Sequence, residues 1–258
     1  MNSALGFPQV LCVGRSSLKI RLVVESLRPL KGRNKALLVK ADDGCYFVQK
    51  FHGEEANRDL LFNEAFASQL GSALDLPFPA WSELTGHSSD ICYSCFGSEV
   101  ISGDILEYLP GAWHLNVGNR ADAFRCLLFD LWCNHTDARQ AVFQIRSPRV
   151  FHAYFFDHDQ MFSLEDGASL SERIARARCL DLRIYKQDLA SVVQELSRLA
   201  DRIRMLVQGG LDQAVDSLPA SWGSIAHREQ AVSGLEHRTG QLQAYIEAIG
   251  QFGASLGH

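Results

Sequence analysis

The sequence predicts an α+β fold with two lobes, a β-rich N-terminal lobe that carries one helix and a helical C-terminal lobe. Runs of β-branched and aliphatic residues dominate residues 19–51, which is typical of short strands. From Leu180 onward, apolar residues recur at helical spacing. The sequence changes from a strand-like to a helical pattern near Tyr108–Pro110. We therefore expect an N-terminal lobe over residues 1–108 and a C-terminal lobe over residues 109–258, with a ligand bound in the cleft between them.

The composition is that of a globular protein, and the net charge limits the classes of partner that the chain is expected to bind. Of its 258 residues, 47% are hydrophobic and 21% are charged, close to globular averages, which excludes a disordered chain. A formal net charge of -5 argues against a general nucleic-acid surface and against a polybasic membrane surface. No apolar stretch reaches the length of a membrane span. The seven cysteines are odd in number and scattered, which is typical of reduced thiols in a cytoplasmic protein.

Three strands are predicted at the start of the chain, arranged as a β-meander. They are Lys19–Arg28, Ala36–Ala41 and Cys45–Phe51, each rich in aliphatic or aromatic residues. Asp42–Gly44 joins the last two as a tight turn, because aspartate and glycine tolerate positive φ. Pro29–Lys35 forms the first loop, where proline and glycine interrupt the strand pattern.

The first loop is basic and contains a glycine. Gly32 would let backbone amides approach a phosphate group, and Lys31, Arg33 and Lys35 add positive charge. The loop matches neither a Walker motif nor the glycine-rich pattern of protein kinases. On its own it therefore indicates only a basic turn.

Lys50 and Glu64 form the first candidate pair of chemically active residues. The alternation of the third strand puts Lys50 on one face with apolar neighbours, where an unpaired ammonium group is costly. A helix is predicted over Glu54–Leu74, and Glu64 lies on or near its apolar stripe. A strand lysine paired with a helix glutamate is the arrangement that orients nucleotide phosphates in phosphoryl transfer. The alternative is a snorkelling lysine and a solvated glutamate.

Asp137 is the candidate general base. It lies in the polar loop Asn134–Gln140, between a predicted apolar helix, Arg120–Cys133, and two predicted strands, Ala141–Ile145 and Phe151–Phe156. A carboxylate in such a loop can accept a proton from a substrate hydroxyl. The alternative is a loop aspartate that bonds only to the backbone of its own turn.

Asp157 is the candidate metal ligand. Three aromatic residues lead directly into it, which places its carboxylate at the end of a buried strand. Magnesium prefers oxygen ligands of this kind and shares them with phosphates. His158 and Asp159 are further candidates, although adjacent side chains point apart. Asp157 follows Asp137 by about twenty residues, which is the order and approximate separation of the base and metal aspartates in kinases.

The rest of the chain is predicted to be helical. The main candidates are Tyr185–Val207, Leu211–Asp216 and Arg228–Phe252. They give the C-terminal lobe its helical character.

Together these features resemble the HipA-like kinase domain family, a bacterial branch of the protein-kinase-like fold. The most specific stretch is Phe129–Phe143, because such families carry an Asn-x-x-Asp-x-Arg-Gln-like loop after an apolar helix. The other matching stretches are Arg28–Asn34, Ala41–Phe51, Asn63–Phe66 and Leu76–Pro79.

The resemblance implies a role for each matching residue. Lys50 corresponds to the lysine that orients phosphates, Glu64 to its helix partner, Asp137 to the catalytic base and Asp157 to the magnesium ligand. The implied phosphate loop consists of Gly32, Arg33 and Asn34. The family implies ATP and Mg²⁺ as cofactors and transfer of the γ-phosphoryl group to a hydroxyl, such as a protein serine or threonine. It also implies an antitoxin-like partner.

One departure from the family pattern keeps other functions open. Val142 occupies the position of the asparagine that serves as a second metal ligand in kinases. Gln140 and Asn134 are the nearby amides that could replace it, and Gln140 is our candidate for both nucleotide and metal binding. One alternative is a pseudokinase, a nucleotide-binding interaction module without turnover. A further alternative is a small-molecule kinase.

Overall fold

A computed structural model of the chain describes residues 19–30, 36–50, 58–88, 91–163, 167–178, 180 and 189–255. Most strands come first and most helices follow, as the sequence predicts. Among the described residues, no helix is both long and apolar enough to cross a membrane.

Five strands close into a barrel in the order β1-β2-β3-β5-β4. Their bounds are β1, Ile20–Pro29; β2, Leu37–Ala41; β3, Tyr46–Lys50; β4, Trp81–Ser88; and β5, Ile91–Glu99. The first three pair antiparallel, which confirms the predicted meander. The turn between β2 and β3 is also confirmed, since Gly44 has φ +83° and Asp43 accepts a hydrogen bond from the Cys45 amide at 3.0 Å.

The barrel closes through a parallel pairing that the sequence does not reveal. Ile20 of β1 lies opposite Glu83 of β4, and Leu22 lies opposite Thr85. Because these partners are far apart in the chain, no local pattern of hydrophobic residues specifies that they pair.

Helix α1 (Arg58–Ala73) follows the barrel strand that ends at Lys50. The sequence predicts a start at Glu54, but residues 54–57 lie outside the described part of the chain. The helix ends ahead of Pro77, because proline cannot continue a helix. Gly71 lies where a Cβ atom would overlap the Phe78 ring, so the helix and the segment after it pack closely.

The middle of the chain forms a second, three-stranded sheet next to a buried helix. Its strands are β6, Ile105–Leu106; β7, Gln140–Ser147; and β8, Val150–Phe156, with a 3₁₀ helix at Gly111–Asn116 and helix α2 at Ala121–Cys133. The predicted helix and strands are therefore confirmed within a few residues. Asn134 ends α2 in the left-handed conformation, with φ +50°, and so turns the chain toward β7.

The C-terminal helices differ from the prediction in where they break. They are α3, Leu170–Ala177; α4, Leu189–Asp216; α5, Ile225–Thr239; and α6, Leu242–Ser255. The predicted helix Arg228–Phe252 is wrong as a single element, because the chain turns at Gly240. Apolar residues keep the same helical phase on both sides of that turn, with Leu235 and Leu242 both buried, so the spacing alone could not show the break.

The break predicted between Tyr185–Val207 and Leu211–Asp216 is confirmed, because Gly210, with φ +103°, interrupts the helical backbone between them. Residues 185–188 lie outside the described part of the chain. Helix α3 is absent from the prediction, although Ser169 and Glu172 form a capping box at its start.

Two hydrophobic clusters fill the described structure. The smaller one is formed by barrel residues, namely Val39, Ala41, Phe47, Leu84 and Cys95. The larger one joins α1, α2 and the C-terminal helices. Within it, Phe162 contacts the rings of Phe62 and Phe66 from α1, with centroid distances of 6.3 and 5.2 Å. Helix α1 therefore packs into the core of the helical part.

Candidate active site

Lys50 joins three separate elements at one point. It is the last residue of β3, and its side chain reaches α1 and the turn after β8. Its Nζ donates a hydrogen bond to Glu64 Oε1 and another to Asp157 Oδ1, the latter at 2.7 Å. The predicted contact between Lys50 and Glu64 is therefore present, and Asp157 lies beside it.

Burial gives these three charges their unusual electrostatics. Glu64 is 1% exposed and Lys50 is 8% exposed. Burial alone would lower the pKa of Lys50, but the carboxylates of Glu64 and Asp157 outweigh it and raise that pKa above its ordinary value. Burial raises the pKa of Glu64, against the opposing effect of Lys50. Lys50 therefore stays charged at neutral pH.

Asp157 lies directly after the end of β8, in an uncommon backbone conformation. Its φ is +69°, which is in the left-handed region that residues other than glycine rarely adopt. Its Oδ1 accepts from Lys50, and its Oδ2 accepts from the side-chain amide of Gln140. Both carboxylate oxygens are thus held in position by the protein.

Only one of the two amides that could replace the metal-binding asparagine of kinases lies beside Asp157. Gln140, at the start of β7, reaches Asp157. Asn134 instead donates to the Ser163 carbonyl at 2.9 Å, away from that carboxylate. Val142 lies opposite Tyr154 in the β7–β8 pairing and offers no ligand atom. Of the two candidates, Gln140 is the one beside Asp157.

A cluster of three carboxylates can hold a cation at this position. Oxygen atoms of Glu64, Asp157 and Asp159 lie within 4.8 Å of one another. Oxygen-rich sites of this kind suit magnesium. With all three carboxylates ionised, the single ammonium group of Lys50 leaves the cluster with two uncompensated negative charges, which a divalent cation would balance. The residues present therefore fit a magnesium ion.

Asp137 has a very different environment. It is exposed, and its Oδ1 accepts a hydrogen bond from the amide of the next residue, Ala138, at 2.7 Å. Such a local bond is what the turn alternative predicts. The loop itself is nevertheless fixed, because the amide and hydroxyl of Thr136 each donate to the Gln160 carbonyl at 3.2 Å. Asp137 therefore projects from a loop that is anchored just beyond Asp157.

Three buried polar residues lie beside this site, although the sequence patterns do not select them. Arg139 and Asp130 form an ion pair whose side chains are 0% and 1% exposed. Asn63, next to Glu64 in α1, donates to the Asp159 carbonyl at 2.7 Å. Asp130 interrupts the apolar run Cys126–Cys133 of α2, and this pattern indicates that its carboxylate needs a buried partner.

The predicted phosphate loop, Gly32, Arg33 and Asn34, lies outside the described residues. The structure therefore brings together Lys50, Glu64, Asp157 and Gln140, and presents Asp137 on a neighbouring loop.

Comparison with known proteins identifies the fold. No family model matches the chain, and no curated protein matches it. Among solved structures, it is similar to the proinflammatory kinase CtkA of Helicobacter pylori, with a TM-score of 0.58 and 11% sequence identity. The match covers 93% of this chain and 99% of that one. The chain therefore has a kinase-like α+β fold, in which the N-terminal sheet closes as a barrel.

Proposed function

We propose that this chain is a HipA-like, ATP- and magnesium-dependent kinase. The observation that carries the proposal is the position of Lys50, whose ammonium group bridges Glu64 and Asp157 in the interior. These two carboxylates come from α1 and from the turn after β8, 93 residues apart along the chain (157 − 64). A buried cation between a helix carboxylate and a metal-binding carboxylate is the arrangement that phosphoryl transfer requires.

Each residue has a distinct part in the proposed reaction. Lys50 orients the nucleotide phosphates, and Glu64 orients Lys50. Asp157 and Gln140, together with the nearby carboxylate of Asp159, would hold the magnesium ion, which would neutralise charge on the phosphate oxygens. Asp137 accepts the hydroxyl proton while the acceptor oxygen bonds to the γ-phosphorus and the bond to the ADP oxygen breaks. The fold supplies fixed charges where charge develops, which is the main source of catalysis in such reactions.

The acceptor we propose is a serine or threonine hydroxyl of a protein. Asp137 is exposed and projects from the surface of its loop. An exposed base suits a large acceptor that covers it on binding, and it suits less well a small molecule that must be enclosed. A screen of ATP consumption with small hydroxyl compounds would distinguish a small-molecule kinase.

A nucleotide-binding module without turnover is the second candidate. It is favoured by Val142 at the metal-asparagine position and by the hydrogen bond that Gln140 makes to Asp157. In this function the site keeps its fold and its charges but lacks a complete set of metal ligands. Persistent nucleotide binding without phosphate transfer would select it.

The first test is a thermal-shift titration with Mg·ATP, followed by transfer of labelled γ-phosphate. A ligand at about 100 times its Kd stabilises the folded state by about 2.7 kcal/mol, so binding is readily detected. Asp157→Asn should weaken the magnesium-dependent part of the shift. Asp104→Asn, at an exposed loop position, is the matched control and should behave as the unmodified protein. No stabilisation at millimolar nucleotide would contradict the proposal.

A further inference from the structure

Arg139 lies two residues after Asp137 in the same loop, and its buried side chain reaches Asp130 on α2. Its Nε donates to Asp130 Oδ2 at 3.1 Å, and its Nη2 donates to Asp130 Oδ1, so the pair is bidentate. Neither side chain is more than 1% exposed. A buried ion pair is weak evidence for stability, because packed apolar residues of similar volume often stabilise a fold equally well.

The other edge of the guanidinium group reaches the turn that contains Asp157. Arg139 Nη1 lies 3.0 Å from the carbonyl oxygen of Phe156 and 3.4 Å from that of Asp157. It also lies 2.7 Å from Nδ1 of His158. Three consecutive residues around the metal aspartate therefore share one buried donor group.

The contacts of Arg139 with these carbonyl groups lie on either side of a strained backbone position. Asp157 has φ +69°, a conformation that a residue with a side chain keeps only when its surroundings impose it. The carbonyl groups on either side of this strained position are those that Arg139 holds. Because φ sets the direction of the side chain, the same contacts determine where the Asp157 carboxylate points.

We propose that Arg139, with Asp130 as its fixed counter-ion, is a positioning residue that sets the backbone of Asp157 for cation binding. The proposal rests on the kinase function proposed above. Arg139 touches neither the cation nor the phosphates in this role, and it acts through the Asp157 backbone alone. A lysine at this position would keep the charge but lose the fork geometry that holds Asp130 and the carbonyl groups together.

The test compares the unmodified chain with the double variant Arg139→Met/Asp130→Leu. Replacing both partners leaves no unpaired buried charge, so this variant should fold, which circular dichroism checks. Two readouts are measured: Mn²⁺ binding by electron paramagnetic resonance, and the Mg²⁺ concentration for half-maximal phosphate transfer. We expect both to weaken by about 10- to 100-fold in the double variant, the usual effect of losing an outer-shell partner.

The kinetic profile distinguishes positioning from general damage. The KM for the acceptor should stay unchanged, while the Mg²⁺ requirement rises. Arg139→Lys should recover part of the Mn²⁺ affinity. The matched control is Arg125→Met/Asp122→Leu, because that pair also lies on α2, at 2.7 Å, and does not contact Asp157. It should leave both readouts unchanged.

The outcomes separate this inference from the function on which it rests. If the unmodified chain binds Mn²⁺ and transfers phosphate, but the folded double variant has unchanged Mn²⁺ affinity and Mg²⁺ requirement, the positioning role is overturned and the kinase function stands. If the unmodified chain neither binds Mn²⁺ nor transfers phosphate, both are overturned.

Discussion

Asp157 and Asp137 belong to the same candidate site and have opposite environments. Asp157 accepts hydrogen bonds from Lys50 and Gln140, and Arg139 holds the carbonyl groups beside it. Asp137 is exposed and accepts a hydrogen bond from the amide of the next residue. The proposed metal side of the site is therefore assembled by the fold, while the proposed acceptor side is open.

This contrast indicates that the protein positions the charges around Asp157 in advance, and that it leaves Asp137 to be covered by the substrate. Charges in a buried site interact strongly, and they need no rearrangement when the nucleotide arrives. An exposed carboxylate is screened by water until a substrate covers it. We therefore expect substitutions on the metal side to change stability, and a substitution at Asp137 to change turnover alone.

Lys50→Met should have the largest effect. It leaves the buried carboxylate of Glu64 and the part-buried carboxylate of Asp157 without their cation, and breaking a buried pair in this way costs about 3 kcal/mol or more. Urea denaturation measures the loss. Lys50→Met/Glu64→Gln should recover part of it, because one uncompensated charge is removed. Lys40→Met, on the neighbouring strand, is the control. A loss below about 1 kcal/mol for Lys50→Met would mean that the pair does not organise the site.

Acid should destabilise the metal side through its histidines. Burial lowers the pKa of His158 well below its ordinary value, and the charges of Arg139 and Lys50 lower it further. The unfolded chain binds a proton near pH 6.5 that the folded chain excludes. The free energy of unfolding should therefore be highest above pH 6.5 and fall by up to about 1.4 kcal/mol per pH unit below it for this residue.

The variant His158→Asn tests this assignment. Its side-chain oxygen can still accept the hydrogen bond from Arg139, but it cannot be protonated. In urea denaturation between pH 7.5 and 5.5, the free energy of unfolding of the variant should fall less steeply with pH than that of the unmodified chain. The difference in slope should correspond to about one bound proton. Burial also lowers the pKa of His135, so part of the slope should remain. An unchanged slope in the variant would contradict the assignment.

Gln140 lies between the proposed metal side and the proposed acceptor side of the site, because it is exposed and yet contacts Asp157. Gln140→Ala should lower the free energy of unfolding by no more than about 1 kcal/mol, and it should weaken Mn²⁺ binding. Gln140→Glu should strengthen Mn²⁺ binding, since it adds a carboxylate beside Asp157. If both variants bind Mn²⁺ as the unmodified chain does, Gln140 is not a metal ligand.

Asp137→Ala should have the smallest effect on stability, within about 0.5 kcal/mol of the unmodified chain. The residue is exposed, and the loop around it is anchored through Thr136. Thermal denaturation provides the comparison. A loss above about 1 kcal/mol would show that Asp137 supports the loop, as the turn alternative predicts.

The sequence predicts the parts of the site that local patterns determine. Strand alternation selects Lys50, helical phase selects Glu64, and the end of an apolar strand selects Asp157. Their mutual contact follows once the kinase-like arrangement is assumed, although Lys50 and Asp157 are 107 residues apart. The strand order of the barrel could not be predicted in the same way, because the parallel pairing of β1 and β4 depends on distant residues.

The supporting residues could not be identified in advance. Asp130 in an apolar helix indicates a buried partner, but the helix pattern does not say that the partner is Arg139. The choice between Gln140 and Asn134 depended on the left-handed turn at Asn134, which directs its amide to Ser163. Backbone geometry decided both points.

The most direct test of the proposed function measures nucleotide binding and phosphate transfer together in the unmodified chain and in Asp137→Ala. We predict that Asp137→Ala binds Mg·ATP as the unmodified chain does, while transfer of labelled γ-phosphate falls by about 10²- to 10⁴-fold, the usual contribution of a general base. Nucleotide binding without any transfer by the unmodified chain, or transfer that is unaffected by Asp137→Ala, would contradict it.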